Sequence, residues 1–227
     1  MQLLIASATG FEIAPLVDWL QIYSIRTDNY RYQLGSARID ILITGVGIPL
    51  SAYSFGKLLS SRPYDLCIQA GIAGAFDRGL EIGEVVQVTS ESFGDLGVEE
   101  ADGSFTSAVT MGLIDAQQPP FTDGKLLSPS DADLPVFLKP VSGTTVNKVH
   151  GRAESIAAFQ RHTNVQVESM EGACFAYACL LEQKPFLQIR AISNYVETRN
   201  REAWNIPLAI ENLNAVLKEM IQVLAAQ

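Results

Sequence analysis

Apolar residues in this chain fall into short uninterrupted blocks separated by longer stretches of helical spacing, a pattern that predicts buried strands alternating with helices. Residues 3–7 form the first block and end at Ala8-Thr9-Gly10. A helix is expected over about 12–22, with Pro15 tolerated in its first turn. Residues 30–36 and 37–44 read as a hairpin pair, the second closing on Gly45-Val46-Gly47. After a helix over about 49–60, strands are expected over 65–70, ending at Gly71-Ile72-Ala73-Gly74, and over 84–91. Residues 140–146 read as a further strand and 152–160 as a short helix. From Thr163 to Asn194 the pattern is strand (163–167), helix (169–182) and strand (186–192), with Pro185 breaking the helix. The helix is full of small residues, among them Gly172, Ala173, Ala176 and Ala178, so it can lie close to a sheet. This is the signature of a βαβ unit and a parallel sheet. The tail over 207–225 is amphipathic, with Ile210, Leu213, Leu217, Met220 and Leu224 on one face and Asn205 placed to cap it. Residues 94–130 carry no clear period and are expected to form a long functional loop.

The expected fold is therefore α/β: one domain over 1–227, with a central mixed, largely parallel twisted sheet flanked by helices. There is no internal repeat and no linker composition. A chain of 227 residues buries a substantial core without staples. The formal net charge of −9 argues against nucleic acid and anionic membranes as partners, since either calls for a basic patch. Three cysteines, two of them in one helix, read as reduced thiols packed as small hydrophobes. The first residues, MQLLIASATG, have neither a basic flank nor an apolar run long enough for a signal peptide or a membrane span. The expectation is a cytoplasmic protein.

Open α/β sheets bind ligands beyond the carboxyl ends of their strands, which directs attention to the joints of this pattern. Gly45-Val46-Gly47 and Gly71-Ile72-Ala73-Gly74 both follow strands, and neither completes G-x-G-x-x-G. Such glycines serve sharp turns or close approach of backbone to a ligand. Glu12 opens the first helix, where it complements the helix dipole and also projects into the crevice as a candidate general base. Glu171 stands in a helix otherwise almost free of charge; a buried carboxylate needs partners, and vicinal sugar hydroxyls would suit. Asn194 follows a strand and offers donor and acceptor on one carboxamide, suited to a flat heterocycle or simply to a turn. His150 and His162 are too poorly accompanied to suggest a metal site, and no metal or cofactor is expected. Arg199-Asn200-Arg201 reads as a solvated loop able to hold a substrate carboxylate.

Val167-Glu168-Ser169-Met170-Glu171-Gly172 and Ile189-Arg190-Ala191-Ile192-Ser193-Asn194 resemble the two site motifs of the nucleoside phosphorylase and nucleosidase superfamily. The first strand with Glu12 and the two glycine stretches fall in that family's order, so the resemblance covers most of the chain and is weakest over 94–130. It implies a nucleoside phosphorylase-like fold, a small-molecule nucleoside as substrate, and a homo-oligomer, dimeric or higher. It further implies that Glu12 deprotonates an attacking water and that Glu171 holds the ribose 2′- and 3′-hydroxyls with Met170 against the sugar. Ser193 and Asn194, the Ile72-Ala73-Gly74 turn and the Val146-Asn147 segment would surround the base. Adenine-specific members carry aspartate where this chain has Asn194, whose amide is expected to donate to N7 and O6 of a 6-oxopurine and favour hypoxanthine. No Lys or Arg lies between Met1 and Ile25 or in the two glycine stretches, so hydrolysis is favoured over phosphorolysis. A 6-oxopurine phosphorylase, a methylthioadenosine/S-adenosylhomocysteine-type nucleosidase and a non-catalytic nucleoside-binding module stand as alternatives.

Overall fold

The computed structural model describes residues 1–129 and 138–226. β1 (Gln2–Ser7) leads into α1 (Gly10–Tyr23), then β2 (Ile25–Asp28), β3 (Arg31–Leu34), β4 (Ala37–Ile43) and α2 (Ile48–Leu59). β5 (Leu66–Ala75) and β6 (Val85–Glu91) are followed by three short strands, β7 (Gly97–Glu99), β8 (Phe105–Ser107) and β9 (Leu126–Leu127). β10 (Lys139–Thr145), α3 (Ala153–Gln160), β11 (Val167–Ser169), α4 (Gly172–Leu181), β12 (Phe186–Tyr195) and α5 (Ile206–Ala225) complete the order.

The mixed sheet expected from the sequence is present, and its centre is parallel: β4, β1, β5 and β12 run side by side in one direction. β3 and β2 extend it antiparallel beyond β4. On the other side β6 pairs antiparallel with β12, β10 parallel with β6, and β11 parallel with β10. β11 then returns antiparallel to the far end of β5, so β5, β12, β6, β10 and β11 close into a ring. One strand serves both parts: Leu66 to Gln69 of β5 pair with β1, while Gly74 and Ala75 pair with β11. Twist accumulating along a ten-residue strand allows it to belong to an open sheet at one end and a barrel at the other.

Ring closure corrects three expectations. Residues 71–74 are not a turn; β5 continues through them. Ser193 and Asn194 do not follow a strand but lie inside β12, with a bulge between Ile192 and Asn194. The segment around α4 is not a parallel βαβ unit, because β11 runs antiparallel to β5 and β12 parallel to it. α4 connects two walls of the ring, not neighbouring strands of an open sheet. The strand expected over 163–167 forms instead over Val167–Ser169, where β10 and β5 supply partners, and α4 begins only at Gly172. Within 94–129 the chain forms the β7–β8 hairpin and β9, which pairs with β6; Ser130, the end of the expected loop, lies outside the described residues.

Three apolar layers fill the structure. Ile13, Leu16 and Leu20 of α1 and Leu213, Leu217 and Met220 of α5 cover one face of the sheet. Phe55 and Leu59 of α2 and Phe175 and Cys179 of α4 cover the other, while Val86, Val88, Val141 and Val167 pack inside the ring. Asn205 caps α5 as expected, accepting from the Leu208 N–H at 3.2 Å. The three cysteines are buried free thiols, and burial pushes Cys174 up to about 11, away from reactivity. Among the described residues no helix is long and apolar enough to cross a membrane.

Candidate active site

α1 starts at Gly10, two residues earlier than expected, because Thr9 and Glu12 form a capping box. The same box fixes the Glu12 carboxylate. Its Oε2 accepts from Thr9 N–H (3.0 Å), Thr9 Oγ1 (2.8 Å) and Ser7 Oγ (3.2 Å). Its Oε1 accepts from the Ile72 N–H of β5 at 3.1 Å. Oε2 is thus saturated, whereas Oε1 keeps a lone pair free for a further donor. A Cβ on Gly71 would lie 3.0 Å from this Oε1 and 3.0 Å from Nη1 of Arg190, so Gly71 leaves open the space over which these groups meet.

Arg190 is among the largest fully buried side chains and stands in the field of three carboxylates, Glu171, Glu91 and Glu12. Its Nη2 donates to Gln69 Oε1 at 2.7 Å, and its Nε has no partner among the described residues. Burial lowers its pKa from the ordinary arginine value, and the three carboxylates oppose that shift. Glu171 accepts from the Gly47 N–H at 2.8 Å, an approach open because Gly47 has φ 88° and no side chain. Burial raises the Glu171 pKa, the Gly47 bond and Arg190 pull it down, and the nearby Glu12 charge raises it again. Glu12 and Glu171 therefore stand near enough to feel each other's charge, with Arg190 acting on both, and Met170, next to Glu171, is half-buried. The Met170 N–H also favours the charged carboxylate, and with these two backbone donors Glu171 keeps lone pairs for further donors.

Asn194 Oδ1 accepts from Ser193 Oγ at 2.8 Å and its Nδ2 donates to Tyr195 C=O at 2.9 Å. Flipping the amide would set two acceptors against each other, so these contacts fix its orientation. One N–H of the carboxamide is thus engaged by the Tyr195 C=O, and one is left for a ligand. Gly74 lies directly against Asn194, since a Cβ there would be 3.2 Å from Nδ2. Ile72 and Ala73 line the same stretch of β5, Ala73 buried and its C=O 3.2 Å from Ser193 Oγ. Val146 is fully buried at the end of β10. Asn147 is exposed and ties three segments together: its N–H donates to Asp95 Oδ2 (2.6 Å) and its Oδ1 accepts from Ile48 N–H (3.2 Å), next to Gly47. Arg199 is turned instead onto Trp204, 5.4 Å from the ring centroid.

The sequence reading missed the polar network beneath this pocket. Arg190 and Gln188 sit in the middle of an apolar strand, and Gln188 Nε2 donates to the buried Glu91 Oε2 at 2.6 Å. A charge inside an apolar run was the available signal, because a buried charge demands partners.

With this geometry in view, the comparisons with known proteins are decisive at the level of family. A model of the phosphorylase superfamily matches residues 2–225. The chain belongs to that superfamily. A futalosine hydrolase of Streptomyces coelicolor is 32% identical over 191 residues, spanning 82% of this chain and 79% of the relative. One from Thermus thermophilus is 28% identical over 190 residues, spanning 79% and 80%. Among solved structures, Helicobacter pylori futalosine hydrolase superposes with a TM-score of 0.79 at 15% identity over 98% of both chains. The 5′-methylthioadenosine/S-adenosylhomocysteine nucleosidase of Neisseria meningitidis, in complex with methylthio-immucillin-A, gives 0.77 at 18% identity over 98% of this chain and 99% of that one. These two structural likenesses bear on the fold alone.

Proposed function

We propose that this chain is a futalosine hydrolase. It would cleave the N-glycosidic bond of futalosine with water, releasing hypoxanthine and dehypoxanthine futalosine in a route to menaquinone. The observation that carries hydrolysis is the setting of Glu12: four donors hold the carboxylate and Oε1 retains one lone pair, suited to orient and deprotonate a water. An attacking phosphate would meet a fixed anion at that point. Glu171 accepts the two ribose hydroxyls with its remaining lone pairs, and Met170 packs against the sugar. As the bond loosens, positive charge on the sugar is stabilised by Glu12 and Glu171, and Asn194 donates its free N–H to the departing base. An amide stabilises a departing 6-oxopurine by hydrogen bonding and carries no proton to give.

The two curated relatives named above, each matching about four-fifths of the chain, carry this activity by name, which supports futalosine over a 6-aminopurine substrate. Base release from futalosine, inosine and methylthioadenosine, followed by chromatography, tests the reading. The expected result is hypoxanthine from futalosine at a kcat/KM at least tenfold above the other two. Adenine from methylthioadenosine as the preferred product would overturn it.

A further inference from the structure

The starts of the central strands carry a second concave site, at the far end of β1 from Glu12. Ala37, Ile39 and Ile41 of β4 and Tyr32 of β3 pack into the layer under α1 and α5. Strand alternation therefore puts Arg38 and Asp40 of β4, with Arg31 and Gln33 of β3, on the opposite face. α2 ends at Leu59, and the chain turns back toward β5 through residues 60–65. Between this returning segment and the uncovered strand starts lies a groove of about 590 Å³. Gln2 at its edge and Ser7, whose hydroxyl bonds Glu12, are the two ends of β1, so the groove is about 17 Å along the strand from that carboxylate.

Asp40 is the hub of this groove. Its Oδ2 accepts from Arg62 Nη1 at 2.9 Å and from the Tyr64 hydroxyl at 2.7 Å, and its Oδ1 faces Arg31 Nε at 3.6 Å. The carboxylate is thus spent on aiming two guanidiniums. Arg62 gives it one N–H and keeps others for a ligand. Asp28 reaches Arg31 from the rim at 3.4 Å. Arg38 is different. Register aligns Gln33, Arg38 and Gln2 in one row across β3, β4 and β1, so Arg38 has an amide on each side where a carboxylate would pair with it. It is exposed and has neither an ion pair nor a side-chain hydrogen bond among the described residues. The lining as a whole sets three guanidiniums against one carboxylate, in a chain with a formal net charge of −9. Positive charges gathered in a concavity repel one another and attract an anion.

We propose that this groove is a second ligand site, which binds a small molecule carrying a diphosphate group between Arg38 and Arg62. A guanidinium offers paired N–H donors that match two oxygens of one phosphoryl group. Arg62 is fixed on Asp40, two positions along β4 from Arg38, which sets the two forks about 7 Å apart at the backbone. One phosphoryl group satisfies one fork; two joined groups bridge both. The site is separate from the glycosidic chemistry and stands whichever nucleoside the chain cleaves.

The test is calorimetric titration of the full chain with inorganic pyrophosphate at low ionic strength. Wild-type protein is expected to bind one pyrophosphate per chain with a Kd of about 1 mM or below. Arg38→Gln removes the unpaired guanidinium and should weaken binding by about tenfold or more, the loss expected for a charge-assisted contact. The variant should melt with wild type, since the side chain it replaces is exposed and bonds nothing among the described residues. Gln2→Glu leaves Arg38 in place and gives it the carboxylate neighbour it lacks, and should weaken binding to a similar degree. A pyrophosphate bound anywhere else, the pocket around Glu12 included, would be indifferent to both changes. No saturable binding by wild type overturns the proposal. So does a loss smaller than about tenfold in Arg38→Gln, or in Gln2→Glu if the first variant does not fold.

Discussion

Glu91 is the carboxylate whose surroundings cost it most. It is 2% exposed, and burial pushes its pKa up to about 7 in spite of Gln188, Arg190, Ser92 and Thr145, all of which favour the charged form. It also sits against the first turn of α4, since a Cβ on Gly172 would fall 2.2 Å from its Oε2. Thr145, which bonds Glu91, accepts from the Ala173 N–H at 2.7 Å, so the group braces the segment that carries Met170 and Glu171. The folded value lies above the ordinary carboxylate value. Below that ordinary value both states are protonated and Glu91 contributes no pH dependence. Between it and about 7 the native state keeps a proton that the unfolded chain has lost, so stability falls as pH rises through this window. The full penalty, present above pH 7, is at most about 3 kcal/mol. Glu91→Gln keeps the shape and removes the charge. Urea denaturation at pH 5 and pH 8 should show the variant gaining about 1–3 kcal/mol on wild type over that interval. Parallel stabilities at both pH values would contradict this account of Glu91. At this scale Glu12, Glu171 and Asn194 stand out in the sequence as candidates because each follows an apolar run of the hydrophobic pattern. Glu91 and Gln188 do not, because they pair across 97 residues of chain and each alone looks like a tolerated polar position.

Helix α1 shows why the existence of an element is easier to read than its construction. Its capping box moves its start to Gly10, which leaves Pro15 beyond the first turn, inside the helix, where it deletes a donor. The repair comes from α5. Buried Asn214 accepts from the Leu16 N–H at 3.0 Å and donates to the Glu12 C=O at 2.8 Å, joining the two groups that flank the proline. Read from the sequence, Asn214 is one polar residue on an amphipathic helix; only the packing of α1 on α5 makes it a backbone partner. Replacing it with leucine strands a buried N–H and a buried C=O, so Asn214→Leu should destabilise the protein by about 2–4 kcal/mol in urea denaturation. A loss under about 0.5 kcal/mol would show that the proline break needs no such repair. The same distinction holds for the strands. Their apolar centres were plain, but β5 and β12 run on through glycine, serine and asparagine, residues that read as turns until a neighbouring strand pairs with them.

For the whole molecule, ring closure decides where chemistry is possible. The alternation of strands and helices was enough to expect a mixed sheet with helices on both faces. It could not reveal that β11 comes back to β5, because a pairing between residues almost a hundred positions apart leaves no local period. That return sets Glu168 beside Gly74 and brings the α4 start, with Glu171, over Arg190 and Glu12. The comparisons place the chain in the phosphorylase superfamily, whose name embraces attack by phosphate, so the identity of the nucleophile is the central claim. It is tested most directly by cleaving futalosine with and without inorganic phosphate and separating the sugar products, using wild type and Glu12→Gln. The account predicts free reducing sugar and no sugar 1-phosphate, at a rate indifferent to phosphate and reduced roughly a hundred- to ten-thousand-fold in the variant. Cleavage that requires phosphate and yields the sugar 1-phosphate, or a variant as fast as wild type, would contradict it.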